Sequence, residues 1–120
     1  MAEAYEVALA PHCPLGPIAL AACLAVDSCC VNFAFQETSM GIHYNSEQGG
    51  GEGGGEPVGL LSYVLNKEDL RVGRDGCIAR LDGPGLGIVV DEERVRREAA
   101  TGHAWRDREW CLADGTPTTW

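Results

Sequence analysis

No lysine or arginine precedes Lys67 in this chain of 120 residues, although nine such cations and 18 acids occur in all. A first half without cations is poorly suited to grip a phosphate backbone or an anionic lipid surface, and the net charge of −9 opposes both. The one dense basic cluster, Arg94 to Glu98, is interleaved with acids and reads as a solvated helix face. Neither a nucleic-acid nor a membrane partner is expected. Long apolar runs are missing too. Pro17 to Val26 is too short to span a bilayer, and the first residues, MAEAYE, carry two acids where a secretory leader needs positive charge. The six cysteines include no CxxC pair and no regular spacing. We expect reduced thiols in a reducing, cytoplasmic compartment, with Cys23 acting as a small hydrophobe in an apolar helix. A zinc module built on His12, Cys13, Cys29 and Cys30 matches no common ligand spacing.

What the chain does contain is a strand–helix–strand pattern. Val7 to Ala10 is a continuous apolar run, the signature of a strand buried on both faces, and Pro11 stops it before His12. Gly16-Pro17 opens a helix with proline at its first position. That helix is apolar all round, from Ile18 to Val26, so it requires cover from other protein. Asn32 to Gln36 reads as a second strand with Glu37 at its end. His12 and Glu37 lie 25 residues apart, which suits a right-handed crossover of about 30 residues in all. Such a unit brings an imidazole and a carboxylate to one edge of a parallel sheet, the edge where these folds do chemistry.

The remainder is organised around glycine. Ser46 to Pro57 contains a formal GxGxxG, but it follows no strand, opens no helix and has no lysine, so it reads as a linker or insertion. It separates residues 1–45, a strand–helix–strand, from a C-terminal segment, 58–120. In that segment Leu60 to Leu65 reads as a short helical piece. Leu70 to Leu81 predicts a hairpin turning at Asp75-Gly76. Gly83 to Val90 approaches a strand, and Asp91 caps a helix that Gly102 closes. The tail holds all three tryptophans around an Asp114-Gly115 turn, and rings at that density normally pack against a larger body.

The run APHCPLGPIALAACLAVD, a strand ending in QE, then GIHYN, and beyond the linker GPGLGIVVDEERVRREAATGHAWR and ADG…W closely resemble the galactonate dehydratases. These belong to the mandelate-racemase branch of the enolase superfamily. The resemblance implies an α/β fold: the C-terminal part of a modified (β/α) TIM-like barrel, with its seventh strand, seventh helix and eighth strand, plus a C-terminal segment of the capping region. It also implies a Mg²⁺-assisted hydro-lyase that takes the proton alpha to a sugar-acid carboxylate and eliminates water, giving a 2-dehydro-3-deoxy product. His12 would be the general base and Glu37 the transition-state stabiliser near the substrate carboxylate. His43 is a candidate substrate contact and equally a loop-packing residue.

By the same resemblance, the three carboxylate ligands for Mg²⁺, the general-acid histidine and the aspartate that tunes the base come from earlier strands. None lies in this chain, which is thus expected to be the C-terminal portion of a longer, homo-oligomeric enzyme and inactive alone. Two alternatives stand beside it. Without its surroundings, a histidine after an apolar strand is more often structural than catalytic. A chain with open strand edges can also persist as an interaction module that docks on a full-length homologue.

Overall fold

The computed structural model of the chain describes residues 1–40, 60–100 and 110–118. A short 3-10 turn over Glu3–Tyr5 ends where Glu6 takes a left-handed conformation (φ 54°) and turns the backbone into an extended segment. That segment meets a second one in parallel at Leu9 and Phe33. Leu9 N–H donates to Asn32 O at 2.8 Å, and Ala34 N–H donates to Leu9 O at 2.9 Å, so Leu9 sits between the two partner peptides. On either side the pairing passes to side chains. Asn32 Nδ2 donates to Val7 O at 2.7 Å, and Gln36 Nε2 donates to Pro11 O at 3.0 Å.

Between these segments runs helix α1, Pro17–Asp27. Gly16 precedes it in an extended conformation, and Pro17 occupies the first turn, where an N–H would have no partner in any case. The alanine- and leucine-rich interior favours helix. At the far end Ser28 closes it, donating to Leu24 O from its N–H at 3.1 Å and from Oγ at 2.8 Å. One face buries Pro17, Leu20, Ala21 and Asp27. The other leaves Ile18, Ala22, Ala25 and Val26 exposed.

The core joins the two halves of the chain: Cys13 and Leu20 pack with Val64 and Leu70, ringed by Leu24, Leu61, Ile78, Leu81 and Ile88 among others. The second half reaches it through two 3-10 turns, Leu60–Tyr63 and Lys67–Leu70, and an antiparallel contact between Val64 and Val90. Asn66 secures this arrangement. Its Nδ2 donates to Gly87 O at 3.0 Å and its Oδ1 accepts from Val89 N at 2.7 Å. Gly87 has φ +74° and lies so close to Leu81 that a β-carbon would sit 2.5 Å from the leucine's own. Gly83 and Gly87 of GPGLG thus serve close packing. Helix α2, Glu92–Ala99, follows with Asp91 accepting from Arg94 N at 3.0 Å, acids in its first turn and arginines in its last, the favourable sense for its dipole. Strands β1 (Trp110–Cys111) and β2 (Pro117–Thr118) form an antiparallel hairpin over the Asp114-Gly115 turn.

Several expectations need correction. The two predicted strands reduce to a single parallel contact, because Pro11 has no N–H and the Asn32 and Gln36 amides take the carbonyls a longer ladder would use. Val7, Ala8 and Ala10 are exposed, not buried on both faces. The Asp75-Gly76 turn forms, with Gly73 N–H donating to Cys77 O at 2.7 Å, but no strands flank it. Trp110 is half exposed. The described residues carry a parallel α/β corner built on the Leu9–Phe33 contact and α1. The glycine-rich segment, His43, Gly102, His103, Trp105 and Trp120 lie outside the described residues.

Two substitutions test this packing. Leu20→Ala removes the most enclosed side chain of the core and should cost about 2–5 kcal/mol in urea unfolding. Gly87→Ala should cost more than about 1 kcal/mol, because it meets both an unfavourable φ and the Leu81 side chain. A matching change at Gly85, also at positive φ but with open space around it, should be the milder of the two.

Candidate active site

The parallel contact at Leu9 fixes where the next residues go. Three residues beyond Leu9 stands His12, and four beyond Phe33 stands Glu37, so the two side chains emerge together past the end of the pairing. His12 Nδ1 lies 2.6 Å from Glu37 Oε2, within hydrogen-bonding distance. The same Oε2 accepts from Cys13 N at 2.8 Å. Glu37 is therefore held by the backbone of the residue that follows the imidazole. Gln36 adds a brace, donating to both Pro11 O and Glu37 O.

The pair faces solvent. The His12 side chain is 69% exposed and that of Glu37 46%, so a contact this open to solvent adds little to stability, about 0–1 kcal/mol. Its value is geometric. Cys13, by contrast, is buried in the core, so the N–H that holds Glu37 is on a fixed part of the chain. The sequence could not announce this donor, since every residue but proline carries one. The amides of Asn32 and Gln36 carry a fainter signal in the sequence, their even spacing along one extended segment.

Two cavities lie elsewhere. One of about 390 Å³ is lined by Asp27, Phe33, Phe35 and Gln36 from the first half and by Cys77 to Arg80 from the second. The other, about 380 Å³, is lined by Asn66, Leu81, Gly87 and neighbours. Neither includes His12 or Glu37. Asp27 is buried at the end of α1, and its Oδ2 finds no hydrogen-bond partner among the described residues. Burial pushes its carboxyl above the usual aspartate range.

No group of three or more His, Cys, Asp or Glu side chains able to hold a metal ion occurs among the described residues. His12 and Glu37 are bonded to each other, and Cys29 and Cys30 do not join them. The described residues do not fit Mg²⁺ or zinc. All six cysteines are free thiols. No helix among the described residues is long and apolar enough to cross a membrane.

Residues 1–94 match the enolase C-terminal domain-like family. The chain belongs to that family. The family implies a TIM-barrel-like α/β fold, of which the corner around α1 is the part seen here. Among relatives, a D-galactonate dehydratase of Variovorax paradoxus is 52% identical over all 120 residues. Those of Xanthomonas euvesicatoria pv. vesicatoria and Xanthomonas oryzae pv. oryzae are 49% and 48% identical, again over the whole chain. In each case the match covers 28% of the relative's length. The chain thus spans little more than a quarter of the curated relatives it matches. The enolase C-terminal domain-like fold places chemistry at the carboxyl ends of its strands, which is where His12 and Glu37 stand relative to their parallel contact.

Two measurements check the electrostatics. Cys29, Cys77 and Cys111 are exposed and should alkylate first. Cys13 should stay protected until unfolding, and Cys23 should react slowly at neutral pH, because burial, then Cys13 and Asp27, push its thiol up and thin its thiolate. Mass spectrometry of timed iodoacetamide reactions gives the order. For Asp27 the folded state holds the proton more tightly than the unfolded chain does. Its contribution is therefore present at low pH and lost as pH rises from about the ordinary aspartate value of 3.8 through the raised folded value. Asp27→Asn should flatten that fall in urea midpoints.

Proposed function

We propose that this chain carries the proton-abstracting corner of a sugar-acid dehydratase like the D-galactonate dehydratases it resembles. The observation that supports this most is the contact between His12 and Glu37, made at the end of a parallel pairing inside the family's most recognisable run. The proton alpha to a carboxylate is weakly acidic, since its removal sets a second negative charge beside the first. A neutral imidazole positioned against that proton contributes about 10²–10⁴ in rate. His12 is the base in this reading. Glu37 stabilises the transition state beside it, and His43 contacts substrate.

The same chemistry argues that the chain does not act alone. A sugar acid is an anion, and His12 lies in a half of the chain with no lysine or arginine and next to a carboxylate. Nothing among the described residues near this pair offsets the dianion that proton loss creates. In the family Mg²⁺ supplies that charge, and its ligands would come from protein outside this chain. The reading accordingly gives this chain a base and no electrophile, and the cytoplasm as its compartment.

Substituting these 120 residues for the matched 28% of the Variovorax paradoxus relative tests the assignment. The chimera should dehydrate D-galactonate with Mg²⁺, and His12→Asn within it should lower kcat by about 10² or more. The chain by itself should show no turnover. A chimera that folds and stays inactive, or a His12→Asn variant with undiminished kcat, would refute the role given to His12.

A second reading, a docking module for a full-length homologue, draws on the exposed apolar residues Ile18, Val26, Val31 and Phe35 around α1 and the parallel contact. Gel filtration separates the cases. Oligomers or co-elution with a homologue favour docking, and a cooperative monomer counts against it.

A further inference from the structure

We infer that the cavity between the end of α1, the Phe33–Gln36 segment and the stretch from Cys77 to Arg80 is a binding site for a small organic ammonium ion with an apolar body, held by the Asp27 carboxylate. The inference does not rest on the dehydratase reading, and neither His12 nor Glu37 lines this cavity.

Size and walls suit a small ligand. The volume, about 390 Å³, falls in the range of small-molecule pockets, and such pockets combine apolar walls with a few polar groups. Here Leu24, Phe33, Phe35, Val72 and Ile78 supply the walls, and Asp27 and Gln36 stand among them. Phe33 and Phe35 are 39% and 66% exposed, so packing does not use up their rings.

The two polar residues share a deficiency. Asp27 is only 8% exposed, and its Oδ2 has no hydrogen-bond partner among the described residues; the same holds for Gln36 Oε1. Exchanging the nitrogen and oxygen of the Gln36 amide does not cure this. Its Nε2 already donates to Pro11 O and Glu37 O, and an oxygen there would face two carbonyls. Other donors on the cavity wall are engaged as well. Ser28 Oγ donates to Leu24 O, Cys77 N donates to Asp75 Oδ1, and Arg80 pairs with Asp82 at 2.7 Å in a contact open to solvent. Two buried acceptors are thus left in want of a donor, a costly condition.

Charge then selects the ligand. An ionised carboxylate taken out of water needs a countercharge, and burial without one already pushes Asp27 above the usual aspartate range. A neutral alcohol brings a donor but no countercharge, and an anion brings neither. An ammonium group brings three donors and the missing charge, and aromatic faces attract cations. The carboxyl group of an aspartate turns readily about its last bond, so Oδ2 can swing toward a donor entering the cavity.

Titrating the ¹⁵N-labelled 120-residue chain with benzylamine, a cation at neutral pH, tests the site; benzyl alcohol serves as its uncharged counterpart. Benzylamine should give saturable shifts at the backbone amides of Ser28, Phe35, Cys77 and Ala79. Benzyl alcohol should bind about tenfold or more weakly, since a charged hydrogen bond is lost. Asp27→Asn should weaken benzylamine by a similar factor and leave benzyl alcohol unchanged. Equal affinity for amine and alcohol overturns the proposal, and this comparison decides even if the variant fails to fold. Undiminished benzylamine binding by a folded Asp27→Asn chain also overturns it. So do unsaturable shifts scattered over exposed acids, which mean adventitious ion pairing only, and so does the absence of shifts at the cavity amides.

Discussion

The arrangement of the first 40 residues depends on one parallel pairing, in which both hydrogen-bonding groups of Leu9 engage the peptides around Phe33. Take it away and only bonds made by side chains, from Asn32, Gln36 and Glu37, hold position 12 near position 37, since α1 alone would only set them at the two ends of a loop. Two backbone bonds are a slight basis for such a junction, each worth about 0.5–1.5 kcal/mol net. The amides of Asn32 and Gln36 extend it at both ends, and the packing of Leu20 against Cys13 presses the crossover helix onto the same region. Local sequence chemistry builds the helix, but a long-range contact makes the site.

The energetic character of the chain follows from how little lies behind that junction. Among the described residues few hydrophobic side chains are buried, and much large apolar surface remains in water along α1 and the segments beside it. A helix with one face on the core and the other exposed, yet apolar on both, is built for cover on two sides. Membership of a TIM-barrel-like family, at little more than a quarter of its relatives' length, gives that surface its context. The acidic balance and the lack of cations near His12 belong to the same picture, for the pair is chemically one-sided. In the proposed reading it receives a proton, and no cation among the described residues stands near it to neutralise an anion.

What could be read from the residues divides along physical lines. Pro17 at a helix start, Asp91 as a cap, and turns at Asp75-Gly76 and Asp114-Gly115 were legible because each rests on the conformational preference of one or two residues. The parallel sense of the Leu9 contact was legible from chain length between the two apolar segments. Strand extent was not. A ladder grows only as far as its neighbours supply donors and acceptors, and here side-chain amides intervene. The β1–β2 pairing was likewise hidden, although its turn was plain. Of the site, sequence offered His12 and Glu37 as candidates by resemblance, and the fold sets them in contact. It gave no hint of the Cys13 N–H, because a main-chain donor has no letter in the sequence.

Cys13 occupies two structures at once. Its thiol is packed among Leu20, Val64 and Leu70, while its amide grips the carboxylate that faces the imidazole. A disturbance that loosens the interior, whether by heat, hydrostatic pressure or an enlarged side chain at Leu70, is thereby carried some 60 residues along the chain to a solvent-facing ring. The imidazole should register such softening while the backbone as a whole is still folded, making position 13 a built-in gauge of how tightly the interior is held.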